Sequence, residues 1–269
     1  MWIIIICACV LFLAALLGFF ILPGRPQESA KAIFRGVNHA HRGLHNESRP
    51  ENSLPAFQAA AEAGYGIELD VQLSQDGQVM VFHDDELDRL CGEPGRMDMF
   101  TSAELQVLSL LGTEERIPLF QEVLDCVAGR VPLIVELKTG SHNDELCRKT
   151  LALLADYEGS YCIESFDPRI VAWFRRHAPH ILRGQLSAPP KVFNMGLVGC
   201  IAAWGFSSFM GRPQFIAYQA VRRPLTIVLA QRLSMSVTWT LTPELDVKRF
   251  EGLSDAVIFE GYLPSVKYK

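Results

Sequence analysis

From residue 36 onward, short apolar runs of strand length alternate with stretches of helical periodicity. The strand-like runs are Gly36–His41, Gly66–Leu73, Pro132–Leu137, Tyr161–Ser165, Ile181–Leu186, Gly205–Phe209, Ser236–Leu241 and Ala256–Phe259. Helix-like stretches fall at Leu54–Ala63, Leu119–Val127, Asp144–Tyr157, Pro168–His177, Thr226–Leu233 and Pro243–Phe250. A strand, a helix and a further strand pack as a parallel unit, since the crossover helix covers the apolar face of the strands it joins. Eight strands close a parallel sheet on itself, so the pattern predicts an α/β fold, a TIM (β/α)8 barrel. A chain of 269 residues accommodates one such barrel and a short appendage.

One segment breaks the alternation. A second short strand, Val79–His83, follows Gly66–Leu73 through the turn pair Asp76-Gly77. Beyond it lies an irregular polar stretch with Gly92, Pro94 and Gly95, then a short helix near Ser102–Leu108. This reads as a small insertion after the second strand, at about residues 84–117 of a barrel domain spanning 32–269.

The N-terminus has a different character. Trp2 to Leu22 carries no charge and a single glycine, Gly18. At about 1.5 Å per residue such a helix covers roughly 30 Å, the hydrocarbon thickness of a bilayer. Pro23 and Gly24 end it, and residues 23–31 read as a polar linker. The run is too long for a typical signal-peptide core and no basic residue precedes it. Residues 1–22 are therefore expected to be a single-pass cell-membrane anchor, with a cleaved signal peptide or a core helix as competing readings. Arg25, Lys31 and Arg35 all follow the apolar run, which by the positive-inside rule places the barrel in the cytoplasm.

The net charge of −5 gives no basic footprint for nucleic acid. Seven cysteines without a Cys-x-x-Cys pair suggest neither a zinc site nor a disulfide framework.

Side chains at i and i+2 of a strand share a face. Glu68 and Asp70 are such a pair, framed by Ile67, Leu69 and Val71; Glu136 and Lys138 repeat the spacing in the next strand. Carboxylates converging in a buried setting repel one another and are poorly solvated, so a cation must offset them. Carboxylate oxygens are hard ligands suited to Mg²⁺ or Ca²⁺. A buried salt-bridge network through Lys138 and an arginine is the structural alternative. His41 ends the first strand and His83 ends the insertion hairpin, at the barrel end that carries active sites. Two histidines flanking a metal-held phosphate supply an acid and a base for diester cleavage, and Arg42 offers a planar fork for phosphate oxygens. His39 and His41, spaced as in amidohydrolase metal sites, lack further histidines on later strands, since His142, His177 and His180 fall in helices or loops. His39 is then most simply a core residue or one that supports the site residues from behind.

These residues stand in an ordered set of motifs. His41-Arg42-Gly43, Pro50-Glu51-Asn52-Ser53, Ile67-Glu68-Leu69-Asp70-Val71, Val81-Phe82-His83-Asp84, Leu87-Asp88-Arg89, Ile117-Pro118-Leu119, Val135-Glu136-Leu137-Lys138, Ser165-Phe166-Asp167 and Trp239-Thr240 closely resemble the glycerophosphodiester phosphodiesterase family. The resemblance implies that Glu68, Asp70 and Glu136 bind a divalent metal and that His41 and His83 form the acid–base pair. It implies that Arg42 and Lys138 contact the substrate phosphate, that Glu51 and Asn52 shape the site floor, and that Trp239 walls the glycerol side. The expected reaction converts a glycerophosphodiester to glycerol 3-phosphate and an alcohol, and the expected substrate is such a diester or a lysophospholipid. Val257-Ile258-Phe259-Glu260-Gly261 departs from the family's usual Thr-Asp pair there. The unusually apolar Phe193–Met210 reads as core, with a greasy wall for a lipid-like leaving group as the functional alternative. A catalytically silent, membrane-tethered barrel that binds phospholipid head groups is the competing function.

Overall fold

The computed structural model describes residues 1–193 and 196–268. Nine strands form one sheet: β1 (Asn38–Ala40), β2 (Gly66–Leu73), β3 (Val79–Val81), β4 (Leu133–Leu137), β5 (Tyr161–Ser165), β6 (Arg183–Ser187), β7 (Phe215–Gln219), β8 (Met235–Leu241) and β9 (Ala256–Phe259). All but β3 run parallel, and β1 pairs with both β9 and β2, so eight strands close into the expected barrel. β3 lies antiparallel on the far half of β2, with Val81 opposite Val71, and opens the small insertion.

The helices are α1 (Trp2–Ile21), α2 (Glu28–Phe34), α3 (Leu54–Ala63), α4 (Asp88–Cys91), α5 (Ser102–Leu105), α6 (Phe120–Val127), α7 (Asn143–Ala155), α8 (Pro168–His177), α9 (Pro190–Phe193), α10 (Gly196–Ala203), α11 (Ser208–Gly211), α12 (Leu225–Leu233) and α13 (Val247–Leu253). α2 starts inside the stretch read as linker.

Strand alternation separates two cores. Ile67, Leu69 and Val71 of β2, with Leu133 and Val135 of β4, pack outward against Phe57 and Ala60 of α3 and Phe120 and Val123 of α6, all buried. Each such side chain contributes about 1.5–3 kcal/mol when removed from water. The intervening residues face the barrel interior. Toward the N-terminal ends of the strands this interior is apolar, built from Ile134, Cys162, Phe215 and Ile258. Phe34 of α2 closes that end by stacking on His39 at 5.8 Å. Gly66 makes the room: a Cβ there would lie 2.3 Å from the His39 ring. His39 is thus the expected core histidine, held neutral because burial lowers its pKa to about 4.

Two expectations need correction. The sixth barrel strand is not Gly205–Phe209; β7 begins at Phe215. Gly205 is left-handed at φ 77° and the run continues into α11, where Phe209 meets Phe20 edge-on at 5.2 Å. The apolarity of this run serves helix contacts, not the sheet. The wider Phe193–Met210 stretch lies partly outside the described residues. The last helix starts at Val247 rather than Pro243, because the Asp246 carboxylate accepts the Arg249 backbone N–H at 3.1 Å and caps it there.

Candidate active site

The C-terminal ends of β1, β2 and β4 bring the acidic residues together. Asp70 stands opposite Glu136 in the β2–β4 register, and Glu68 opposite Ile134. Oxygens of Glu68, Asp70 and Glu136 all lie within 4.8 Å of one another, and all three residues are buried. Burial, then repulsion from Asp70, Glu136 and Glu164, pushes the Glu68 carboxyl well above its ordinary range. Burial also raises Glu136, against the pull of Lys138. Asp70 feels the same burial, but Lys138, His83 and Arg42 outweigh it and hold the carboxyl low. Lys138 Nζ sits 2.9 Å from Glu136 and 3.5 Å from Asp70. Burial opposes its charge, and these two carboxylates reverse that and raise it.

Arg42 and Asn52 complete the floor. Both take left-handed backbone, at φ 54° and 55°. Non-glycine residues hold such conformations only where their surroundings fix them. The fixing contacts are present: Arg42 N donates to Glu68 Oε2 at 3.0 Å, Asn52 N to Arg42 O at 2.9 Å, and Asn52 Nδ2 to Asp70 Oδ2 at 2.9 Å. Gly43 lets this turn press on α3, since a Cβ would fall 2.8 Å from the Ala56 carbonyl carbon. Arg42 Nη1 donates to Glu51 Oε1 at 2.6 Å, so Glu51 holds the guanidinium that the sequence offered to phosphate.

Each candidate histidine is tied to a carboxylate through Nδ1. His83 Nδ1 lies 2.6 Å from Asp84 Oδ1, and His41 Nδ1 lies 2.5 Å from Glu260 Oε2. Burial lowers the His83 pKa, with Asp70 opposing it. His41 Nε2 faces Glu68 at 4.0 Å. Trp239 stands apart, half-buried on β8, edge-on to Phe166 at 5.5 Å. A cleft of about 520 Å³, lined by His83, Arg89, Glu136, Lys138 and Phe166, reaches the carboxylate cluster at Glu136. His142, His177 and His180 contribute nothing to it.

Three residues were missed by reading the sequence. Glu260 follows the last strand, and its position at a strand C-terminus was the available signal. Arg89, within a quoted motif but given no role, bridges Glu51 at 2.7 Å and Asp84 at 2.6 Å, tying the insertion to the β1–α3 loop. Glu164 is paired in register with Glu136, fully buried, and neither of its oxygens has a hydrogen-bond partner among the described residues.

The donor set fits a divalent cation: converging buried carboxylates, with Asp70 Oδ1 making no hydrogen bond, present hard oxygen ligands in excess of the nearby positive charge.

Residues 41–259 match the family model described as the glycerophosphoryl diester phosphodiesterase family. YhdW of Bacillus subtilis is 34% identical over 179 residues, covering 63% of this chain and 72% of YhdW. The glycerophosphodiester phosphodiesterase of Caldanaerobacter subterraneus is 34% identical over 158 residues, 55% of this chain and 65% of that protein. An Oleispira antarctica phosphodiesterase, solved with the product sn-glycerol-3-phosphate, superposes with a TM-score of 0.71 at 22% identity, covering 86% of this chain and 94% of that one. This last likeness bears on the fold.

Proposed function

Because the chain belongs to the glycerophosphoryl diester phosphodiesterase family of phosphoric diester hydrolases, we propose that it cleaves glycerophosphodiesters to glycerol 3-phosphate and an alcohol, with His41 and His83 as the acid–base pair. The observation that carries this reading is the cluster of Glu68, Asp70 and Glu136 within 4.8 Å, flanked by two histidines that each lean on a carboxylate. Glu68, Asp70 and Glu136 would hold Mg²⁺ or Ca²⁺, which when bound offsets their charge and polarises a phosphate oxygen.

The chain's own residues divide the remaining work. A carboxylate on Nδ1 favours the tautomer with the proton there and leaves Nε2 free to take or give one. Glu260 does this for His41 and Asp84 for His83. One histidine takes the proton from the attacking oxygen, that of water or of the glycerol 2-hydroxyl, and the other protonates the leaving alkoxide; attack by the 2-hydroxyl gives a cyclic phosphate that water then opens to glycerol 3-phosphate. Lys138 and Arg42 balance negative charge gathering on the phosphoryl oxygens, while Asn52 and Glu51 hold Asp70 and Arg42 in place. Trp239 and Phe166 offer an apolar wall for the glycerol carbons.

The test is a panel of glycerophosphocholine, glycerophosphoethanolamine and lysophosphatidylcholine, assayed with Mg²⁺, Ca²⁺ or a chelator, following the alcohol together with glycerol 3-phosphate or, from the lysophospholipid, acylglycerol 3-phosphate. Release that needs a divalent ion and is lost in His41→Ala and in His83→Ala is the expected outcome. Near-wild-type turnover in either variant refutes the paired role. No release from any diester would favour a silent head-group-binding barrel.

We also read α1 as a single-pass anchor with the barrel on the cytoplasmic side. Its 20 residues have a mean hydropathy of 3.1 and none of the apolar window is buried, which counts against the core-helix reading. The intact mass of the mature protein distinguishes an anchor from a cleaved signal.

A further inference from the structure

The barrel does not hang free below α1. Only the last turn of α1 is seated on it. Phe19 and Phe20 meet Phe209 of α11 at 5.8 and 5.2 Å. Arg212 donates to the Phe19 and Leu22 carbonyls at 2.9 and 2.7 Å, capping α1 from the barrel. α12 also packs against α1. The root of α1 is thus fixed rather than flexibly tethered.

α12 carries an unusual outer face for a barrel helix. Leu225, Leu229 and Leu233 recur every fourth residue and are 73%, 42% and 47% exposed. They form one stripe about 12 Å long. Its inner face, Ile227 and Ala230, is buried on β7 and β8. Trp204, 48% exposed, shares a hollow with Leu225. Beside the stripe lies a cavity of about 500 Å³ lined by Lys31, Arg222, Arg223, Arg232 and Arg249, with Asp255 its single acid among the described residues. Asp255 faces Lys31 at 3.9 Å and Arg35 at 3.6 Å. Arg222, Arg223 and Arg232 have no carboxylate within 4 Å among the described residues, in a chain whose net charge is −5. Arg223 is held in pose by neutral partners, donating to Gln231 at 2.8 Å and to Thr238 and Ser254.

We propose that the α12 flank docks the barrel onto an anionic phospholipid bilayer: the leucine stripe and Trp204 enter the interface, and the arginines alongside take lipid phosphates. The inference rests on reading α1 as a membrane anchor. The contact of α12 with α1 argues for a bilayer over a protein partner, and the arginines without a carboxylate partner among the described residues select anionic head groups. α12 runs from the catalytic end of β7 to the N-terminal end of β8, so a bilayer along it lays the barrel on its side. The carboxylate cleft then opens along the membrane surface, where diesters leaving lipids are most concentrated.

The test uses the full chain in vesicles containing a diazirine-bearing phosphatidylcholine, with or without phosphatidylglycerol, and maps photo-adducts by mass spectrometry. Adducts on residues 221–233 as well as on α1, rising several-fold with phosphatidylglycerol, are expected. In Leu225→Glu/Leu229→Glu the α12 adducts should fall several-fold while those on α1 persist and hydrolysis of water-soluble glycerophosphocholine is unchanged. Adducts confined to α1 would overturn the docking but leave the anchor standing; absence of adducts from α1 itself would overturn the anchor, and the docking with it. Labelling of α12 that ignores phosphatidylglycerol would overturn the anionic preference.

Discussion

Glu68→Gln isolates the physical demand that the carboxylate cluster makes. Glu68 is 2% exposed and shares its site with Asp70, Glu136 and Glu164. Glutamine keeps the shape and an oxygen able to accept the Arg42 N–H, while removing one charge from a crowded group. Without a divalent ion the variant should be more stable than wild type by about 0.5–2 kcal/mol, the usual gain when a strained functional group is neutralised. The pH dependence has a defined sign. A carboxyl raised in the folded state gives stability that is fully present below its unfolded pKa of about 4.3 and is lost as pH climbs through the folded value. The advantage of Glu68→Gln should therefore widen from pH 5 to pH 8. A saturating ion reverses the order. At a hundredfold excess over Kd, binding stabilises wild type by about 2.7 kcal/mol, or roughly 5–10 °C in Tm for a domain of this size. The variant should lose most of that shift. Calorimetric melting with chelator and with Mg²⁺ or Ca²⁺, at several pH values, reads both effects. An undiminished ion-dependent shift in Glu68→Gln, or a metal-free variant less stable than wild type at pH 8, would refute the reasoning.

Other perturbations read separate parts of the site. Glu260→Gln should lower kcat about 10–100-fold with little change in KM, because His41 loses the partner that orients it; an unchanged kcat removes Glu260 from the mechanism. Hydrogen bonding to His41, against the cost of burial, lowers the Glu260 pKa to about 2, so its contribution is present above its unfolded pKa and lost as pH falls from about 4 to about 2; the acid unfolding curve of Glu260→Gln should lack that component. Glu164→Gln should stabilise the metal-free protein, since burial and then Glu136 and Asp70 already disfavour its charge, and urea unfolding at pH 8 compares the two. Gly66→Ala forces a Cβ into the His39 ring and should cost about 1–3 kcal/mol of stability, seen as a lower urea midpoint at unchanged m-value.

Much of the chemistry was legible because it is local. A period of two put Glu68 with Asp70 and Glu136 with Lys138, and the apolar residues between them marked strands buried on both faces. The sixth strand was misplaced because Gly205–Phe209 and Phe215–Gln219 are both short apolar runs. Only packing assigns the first to helix contacts and the second to the sheet.

The sequence by itself determined the alternating elements, the face on which each acidic residue stands and the apolar N-terminal segment, since these depend on residues within a turn or a pleat of one another. The tertiary structure alone decided that Glu260 meets His41 across 219 positions, that Arg89 clasps Glu51, that Glu164 is sealed in with no hydrogen-bond partner among the described residues, and that α12 packs against α1. Closure is the reason: when β9 pairs with β1, ends of the chain that share no local pattern become neighbours, and no periodicity along the sequence records which ones.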